Sequence, residues 1–85
     1  MLPTVLLDSA ATVTQLDAHN RTDHPIDVEF VAAGQVIVRM PVPPRRMAFF
    51  GSSAGVAIAP PLVARHNGSE GALEVRATVL DAKTV

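Results

Sequence analysis

The side chains that could do chemistry in this sequence are few. Ser9, Ser52, Ser53 and Ser69 are its serine hydroxyls. A serine nucleophile needs a strained turn, a neighbouring base and an oxyanion hole. None of the four sits in a Gly-x-Ser-x-Gly frame. Gly51-Ser52-Ser53-Ala54-Gly55 has the right residue types one place out of register, and reads as a small-residue loop. His19, Asp23 and His24 lie around one turn, with Asp17 and Asp27 flanking it. Imidazole and carboxylate are proper metal ligands, but the spacing matches no ligand pattern and the group reads as a solvated turn. Asp27 and Glu29 share one face of a strand. Paired acids for glycoside chemistry need a cleft and sugar-stacking aromatics, and the sequence has no Trp or Tyr. These acids read as a solubilising stripe.

Two further groups bear on contact rather than catalysis. Arg45-Arg46 follows a double proline and is the only adjacent basic pair. A guanidinium offers a planar fork to a carboxylate or phosphate, so the pair is either a partner contact or a solubilising loop tip. Phe49-Phe50 places two phenyl rings on consecutive residues, which in a strand face opposite ways. One ring should enter the core and the other should point out, where aromatics favour interface centres. Asn20-Arg21-Thr22 and Asn67-Gly68-Ser69 match the glycosylation pattern by accident of composition.

The elements that must position these residues are strands. Ile26-Asp27-Val28-Glu29-Phe30 alternates apolar and acidic residues. Leu73 to Val79 alternates in the same way, with Leu73, Val75, Ala77 and Val79 on one face. A period of two marks a strand with one buried face; helical spacing is absent. Ala11 to Asn20 reads as a strand through its β-branched Thr12, Val13 and Thr14, with Thr14, Leu16 and Ala18 sharing a face. Asn20 to Pro25 is a turn. Ala32-Ala33-Gly34 reverses the chain into Gln35 to Met40, where Val36, Val38 and Met40 share a face. Pro41, Pro43 and Pro44 end that segment. Met47 to Phe50, Val56 to Ile58, Leu62 to Ala64 and Ala72 to Leu80 complete the set, and Val5 to Leu7 is a brief strand or an extended arm. The tail Asp81 to Val85 is expected to fray or dock on a neighbour.

The expected fold is therefore all-β: a single-domain antiparallel β-sandwich, jelly-roll-like, over residues 1–85, with seven or eight short strands and residues 1–8 as a possible N-terminal arm. With 85 residues and no cysteine, neither disulfides nor thiolate metal sites are available. A chain this short buries only about 60–65% of its unfolded surface, and association is the remaining staple. Hydrophobic residues make up 48% and charged ones 18%, which leaves apolar surface for contacts. The net charge of −1 and three aromatic residues give no footprint for nucleic acid. The apolar opening Met1 to Asp8 is too short and lacks the basic region of a signal peptide or membrane span.

In order, the segments resemble a family of small tailed-phage virion proteins. The resemblance rests on the Thr- and Val-rich strand Ala11 to Asn20, the apolar strand Ile26 to Phe30 and the turn Ala32-Ala33-Gly34. Val42-Pro43-Pro44, Pro61-Leu62-Val63-Ala64 and the last strand Leu73 to Val79 complete it. The opening is shorter than the family pattern, and His66-Asn67-Gly68 stands where that pattern favours Gly-Asp. The resemblance implies a non-enzymatic virion structural protein that needs no cofactor. It would be a capsid decoration (cement) protein, or else a tail, baseplate or head-spike component. A small ligand-binding or adhesion β-sandwich is the alternative from another class. The implied partners are the chain itself, as a trimer or another homo-oligomer, and the major capsid protein or other virion proteins, with no nucleic acid or membrane; the place is the virion. The residues expected at such contacts are Leu2, Val5, Leu7, Arg45, Arg46, Phe49 and Phe50.

Overall fold

The computed structural model describes residues 3–80, so Leu2 and the tail from Asp81 lie outside the described residues. The described chain is all-β, with strands β1 (Thr4–Leu7), β2 (Ala11–Asn20), β3 (Ile26–Ala32), β4 (Gln35–Val42), β5 (Met47–Ile58), β6 (Leu62–His66) and β7 (Leu73–Val79). They form a four-stranded sheet, β1-β6-β3-β4, and a three-stranded sheet, β5-β2-β7, in a small β-sandwich. Every strand pairing is antiparallel. Of the two readings of Val5 to Leu7, the strand is the one observed: β1 pairs with β6, and Leu6 and Leu7 pack against the core.

The core sits between the sheets. Val28, Phe30, Val42, Leu62 and Ala64 enter it from the larger sheet, and Val13, Leu16, Ala18 and Ile58 from the smaller. Full burial of the Val, Leu, Ile and Phe side chains among these stabilises by about 1.5–3 kcal/mol each. The alternation of β3 is as the sequence predicts: Ile26, Val28 and Phe30 are buried while Asp27 is exposed. The β3–β4 hairpin also follows it. Ala32 pairs with Gln35, and Ala33 and Gly34 both hold positive φ, 50° and 83°. Two such residues define a type I′ turn, whose twist matches that of the strands it joins.

Four expectations are corrected, three of them because a register shift inverts the phase. Thr14 does not share the core face with Leu16 and Ala18. It falls at a shift between Val13 and Gln15, its hydroxyl donates to the Thr78 carbonyl at 3.3 Å, and Val13 is buried instead. Gly51 to Gly55 is not a free loop. Gly51 pairs with Gln15 and Val56 with Val13, so Ser52 to Gly55 are a bulge inside β5, set against Thr14 alone. Such an insertion bends the strand and increases its twist. On β4 the extra residue is Ile37, because Phe30 and Val31 pair with Val38 and Val36. Val36 therefore leaves the face of Val38 and Met40 and is exposed. Val79 is not buried with Leu73, because it ends an edge strand; it is 42% exposed.

One polar side chain lies in the core boundary. Asn20 is completely buried, and its amide makes four hydrogen bonds. Nδ2 donates to the carbonyls of His24 at 2.7 Å and Val42 at 3.0 Å. Oδ1 accepts from the Thr22 N–H at 2.8 Å and the Thr22 hydroxyl at 2.7 Å. Its backbone N–H donates to the Arg46 carbonyl at 2.9 Å. The end of β2, the β2–β3 turn and the end of β4 are thus tied to one residue.

Two substitutions test this account. Asn20→Ala strands buried polar groups that Asn20 satisfied and should cost about 2–4 kcal/mol, read as a lower urea midpoint with an unchanged slope. Ala33→Asn places a residue tolerant of positive φ at an exposed turn position and should stabilise by about 0.5–1 kcal/mol, read as a higher melting temperature.

Candidate contact surface

The residues expected at contacts fall on two separate edges. Arg45, Arg46, Phe49 and Phe50 lie together on the β4–β5 turn and the first half of β5. Val5 and Leu7 lie on β1, at the other end of the larger sheet's strand order. Val5 is exposed, whereas Leu7 is half-buried against the core.

Arg45 is held by its own chain. Its Nε donates to Asp23 Oδ1 at 2.8 Å, a terminal nitrogen donates to the Arg21 carbonyl at 2.8 Å, and its backbone N–H donates to the Thr22 carbonyl at 3.0 Å. These bonds fasten the β4–β5 turn to the β2–β3 turn and accompany a positive φ of 60° at Arg45. Arg46 is exposed beside it. Neither phenyl ring enters the core, which corrects the expectation for Phe49-Phe50. Phe49 pairs with Asp17 on the outer face of the smaller sheet and is 64% exposed. Phe50 pairs with the buried Leu16 and so faces inward, yet it remains 41% exposed. The reason is its place on an edge strand. It stands at the open side of the sandwich, lining a crevice of about 70 Å³ with Ile37, Val38 and Val56 over Leu16 and Val13.

The larger sheet carries a second surface that its strands' local patterns do not reveal. Val5 pairs with Val63, Val63 with Val31, and Val31 with Val36, so one valine from each of four strands forms a row across its outer face. Beside it is a depression of about 560 Å³ lined by Pro3, Val31, Gly34, Pro61, Val63 and Arg65. The next row is ionic. Glu29 pairs across the sheet with Arg65 and Arg39 and accepts hydrogen bonds from their Nε atoms at 2.8 and 2.7 Å. The two arginines, Arg65 first, hold the Glu29 carboxyl below the ordinary value of 4.5. Of the two acids read as a solubilising stripe, Asp27 is exposed and Glu29 is the centre of a cross-strand ion row. The signal was present in the sequence as Arg39 and Arg65, but only the register assembles it.

The groups considered for catalysis or metal binding are dispersed. Asp23 belongs to Arg45, which lowers its pKa. Asp17 is buried under Gln15 and Arg76. His19 lies near Glu74, at 4.0 Å, and Arg21 holds that carboxylate at 2.9 Å and lowers its pKa. His66 Nδ1 accepts the Gly68 N–H at 3.1 Å, and burial depresses its pKa. Among the described residues no three His, Asp or Glu side chains gather to hold a metal ion, and no helix is long and apolar enough to cross a membrane.

Asp23, Glu29 and Glu74 are all depressed by arginine partners. The stability they add is present above their unfolded values and is lost as pH falls through the lower folded values. The melting temperature should hold steady above about pH 6.5, ease downward below it because unfolding lets His66 take up a proton, and drop further below about pH 5. Glu29→Gln should melt lower than the parent at neutral pH, converge on it in acid, and show less sensitivity to added salt.

No family model, curated protein or solved structure matches this chain.

Proposed function

We propose that this chain is a non-enzymatic structural protein of a tailed-phage or phage-like particle, acting as a capsid decoration protein that clamps neighbouring shell subunits. The observation that carries the reading is the apolar surface. Nine large hydrophobic side chains are exposed among the described residues of a chain of 8.9 kDa, on the free edges and in the valine row. Surfaces of this kind mark contact sites. The order of strand and turn segments, with its resemblance to small virion proteins, supplies the partner class.

The mechanism is linkage. A protein that binds the assembled shell and not its dissociated subunits stabilises the assembly by mass action. The contacts come from two edges, so one copy can touch two neighbours: Val5 on β1 and Arg46 beside β5. The depression on the larger sheet suits a contact better than a small ligand, because its single charged wall residue, Arg65, is already engaged by Glu29. A small-molecule site needs convergent polar groups.

The test adds purified protein to expanded shells of the same phage. Saturable binding in proportion to shell subunits, with a higher shell melting temperature, is the expected result. Val5→Asp and Arg46→Glu should each weaken shell binding about tenfold, about 1.4 kcal/mol, without lowering the melting temperature of the free chain. Absence of binding would sink the reading; a few copies per particle would move the protein to the tail, baseplate or spike.

A further inference from the structure

The four edges of the sandwich are not alike. β1 is four residues long. β4 carries Arg39, Pro41 and the register shift at Ile37. β7 carries Glu74 and Arg76. Short strands, charges, proline and bulges are the devices that keep a sheet edge from pairing with another chain. β5 lacks the charge and the proline: from Met47 to Ile58 it has no ionisable residue and no Pro. It also bears Met47, Phe49, Phe50 and Val56, four of the nine exposed large hydrophobics.

The unprotected part is its first half. Met47, Ala48, Phe49, Phe50 and Gly51 run in unbroken register with His19 to Gln15 of β2, which leaves their outer edge regular. The bulge starts only at Ser52. We propose that this edge is the site where two copies of the chain join, with Met47 to Gly51 pairing antiparallel to the same segment of a second copy about a two-fold axis at Phe49. That surface goes beyond shell binding and does not depend on it.

The occupant follows from charge and symmetry. A neutral strand meets its own copy with no like charges opposed. An acidic or basic peptide would find no counter-charge along it. The antiparallel sense follows from Arg45-Arg46: a parallel pair would set the two basic doublets against each other, at a cost. About an axis at Phe49, Arg46 falls opposite Ser52 of the second copy and Arg45 opposite its Ser53. The two Phe49 rings then meet across the axis on the outer face, a favourable cross-strand pair, and Phe50 falls opposite Ala48. The two three-stranded sheets become one sheet of six, β7-β2-β5-β5-β2-β7, and an isologous contact of this kind closes on itself.

Because the chain has no cysteine, Phe49→Cys gives a unique probe. In the isolated protein, light scattering across a dilution series should show a dimer, and Phe49→Lys should weaken it at least tenfold while melting as the parent does at dilutions where both are monomeric. Under mild oxidation Phe49→Cys should cross-link to a dimer at least tenfold faster than Val5→Cys or Val36→Cys, which report on the β1 and β4 edges. A monomer at every concentration, a trimer, or equal cross-linking at the three positions would overturn the proposal. No shell is present in this experiment, so such a result would leave the shell-binding reading standing.

Discussion

The rest of this fold depends on the satisfaction of one buried amide. Asn20 ends the central strand of the smaller sheet, and there the chain must leave one sheet, turn and enter the other. A backbone that changes sheets carries polar groups past the core, and each must find a partner or cost about 1–3 kcal/mol. The Asn20 side chain meets that requirement for His24, Thr22 and Val42 together. Arg45 repeats the connection from outside, bonding Asp23 and the Arg21 carbonyl. Two of the five crossings between sheets, β2 to β3 and β4 to β5, are thereby fastened to each other. A domain with no disulfide can hold its layers in register this way, and the hydrophobic core then packs against a fixed frame.

How much of this was legible in the sequence depends on distance along the chain. The β3–β4 hairpin was readable because a two-residue turn and alternating flanks decide it locally, as was the buried face Ile26, Val28 and Phe30. The bulges were not readable. Thr14 is the extra residue of a pairing with the remote β7, and Ile37 is the extra residue within the local hairpin, yet nothing in their immediate neighbours marks either insertion. Once the phase inverts, Val13 enters the core and Val36 leaves it, although a strict period of two says the opposite. Phe49 and Phe50 were misplaced for a related reason. Alternation predicts which side each ring takes, but the exposure of the inward one depends on β5 being an edge with no strand beyond it.

The candidate surface was legible in part for the same reason. Arg45, Arg46, Phe49 and Phe50 are neighbours in sequence and remain so in space. The residues of the larger sheet's outer face come from four strands, and only register makes Val5, Val63, Val31 and Val36 a row and Arg39, Glu29 and Arg65 an ion group. Their apposition separates a dry stripe from a charged one on a single face. The charged stripe adds little stability, as exposed pairs do.

The strand order carries a consequence for how this protein is made. β1 has only β6 as a neighbour, and β2 lies between β5 and β7, so neither sheet can close on the ribosome until the C-terminal half has emerged. Pairings this remote must meet the entropy of closing long loops before any contact rewards them. During synthesis the β3–β4 hairpin is the one unit able to form alone, with Phe30 and Val28 still uncovered. Until the C-terminal half is out, the apolar strand faces stay open to other nascent chains, a hazard set by the order of the strands and not by the stability of the finished sandwich.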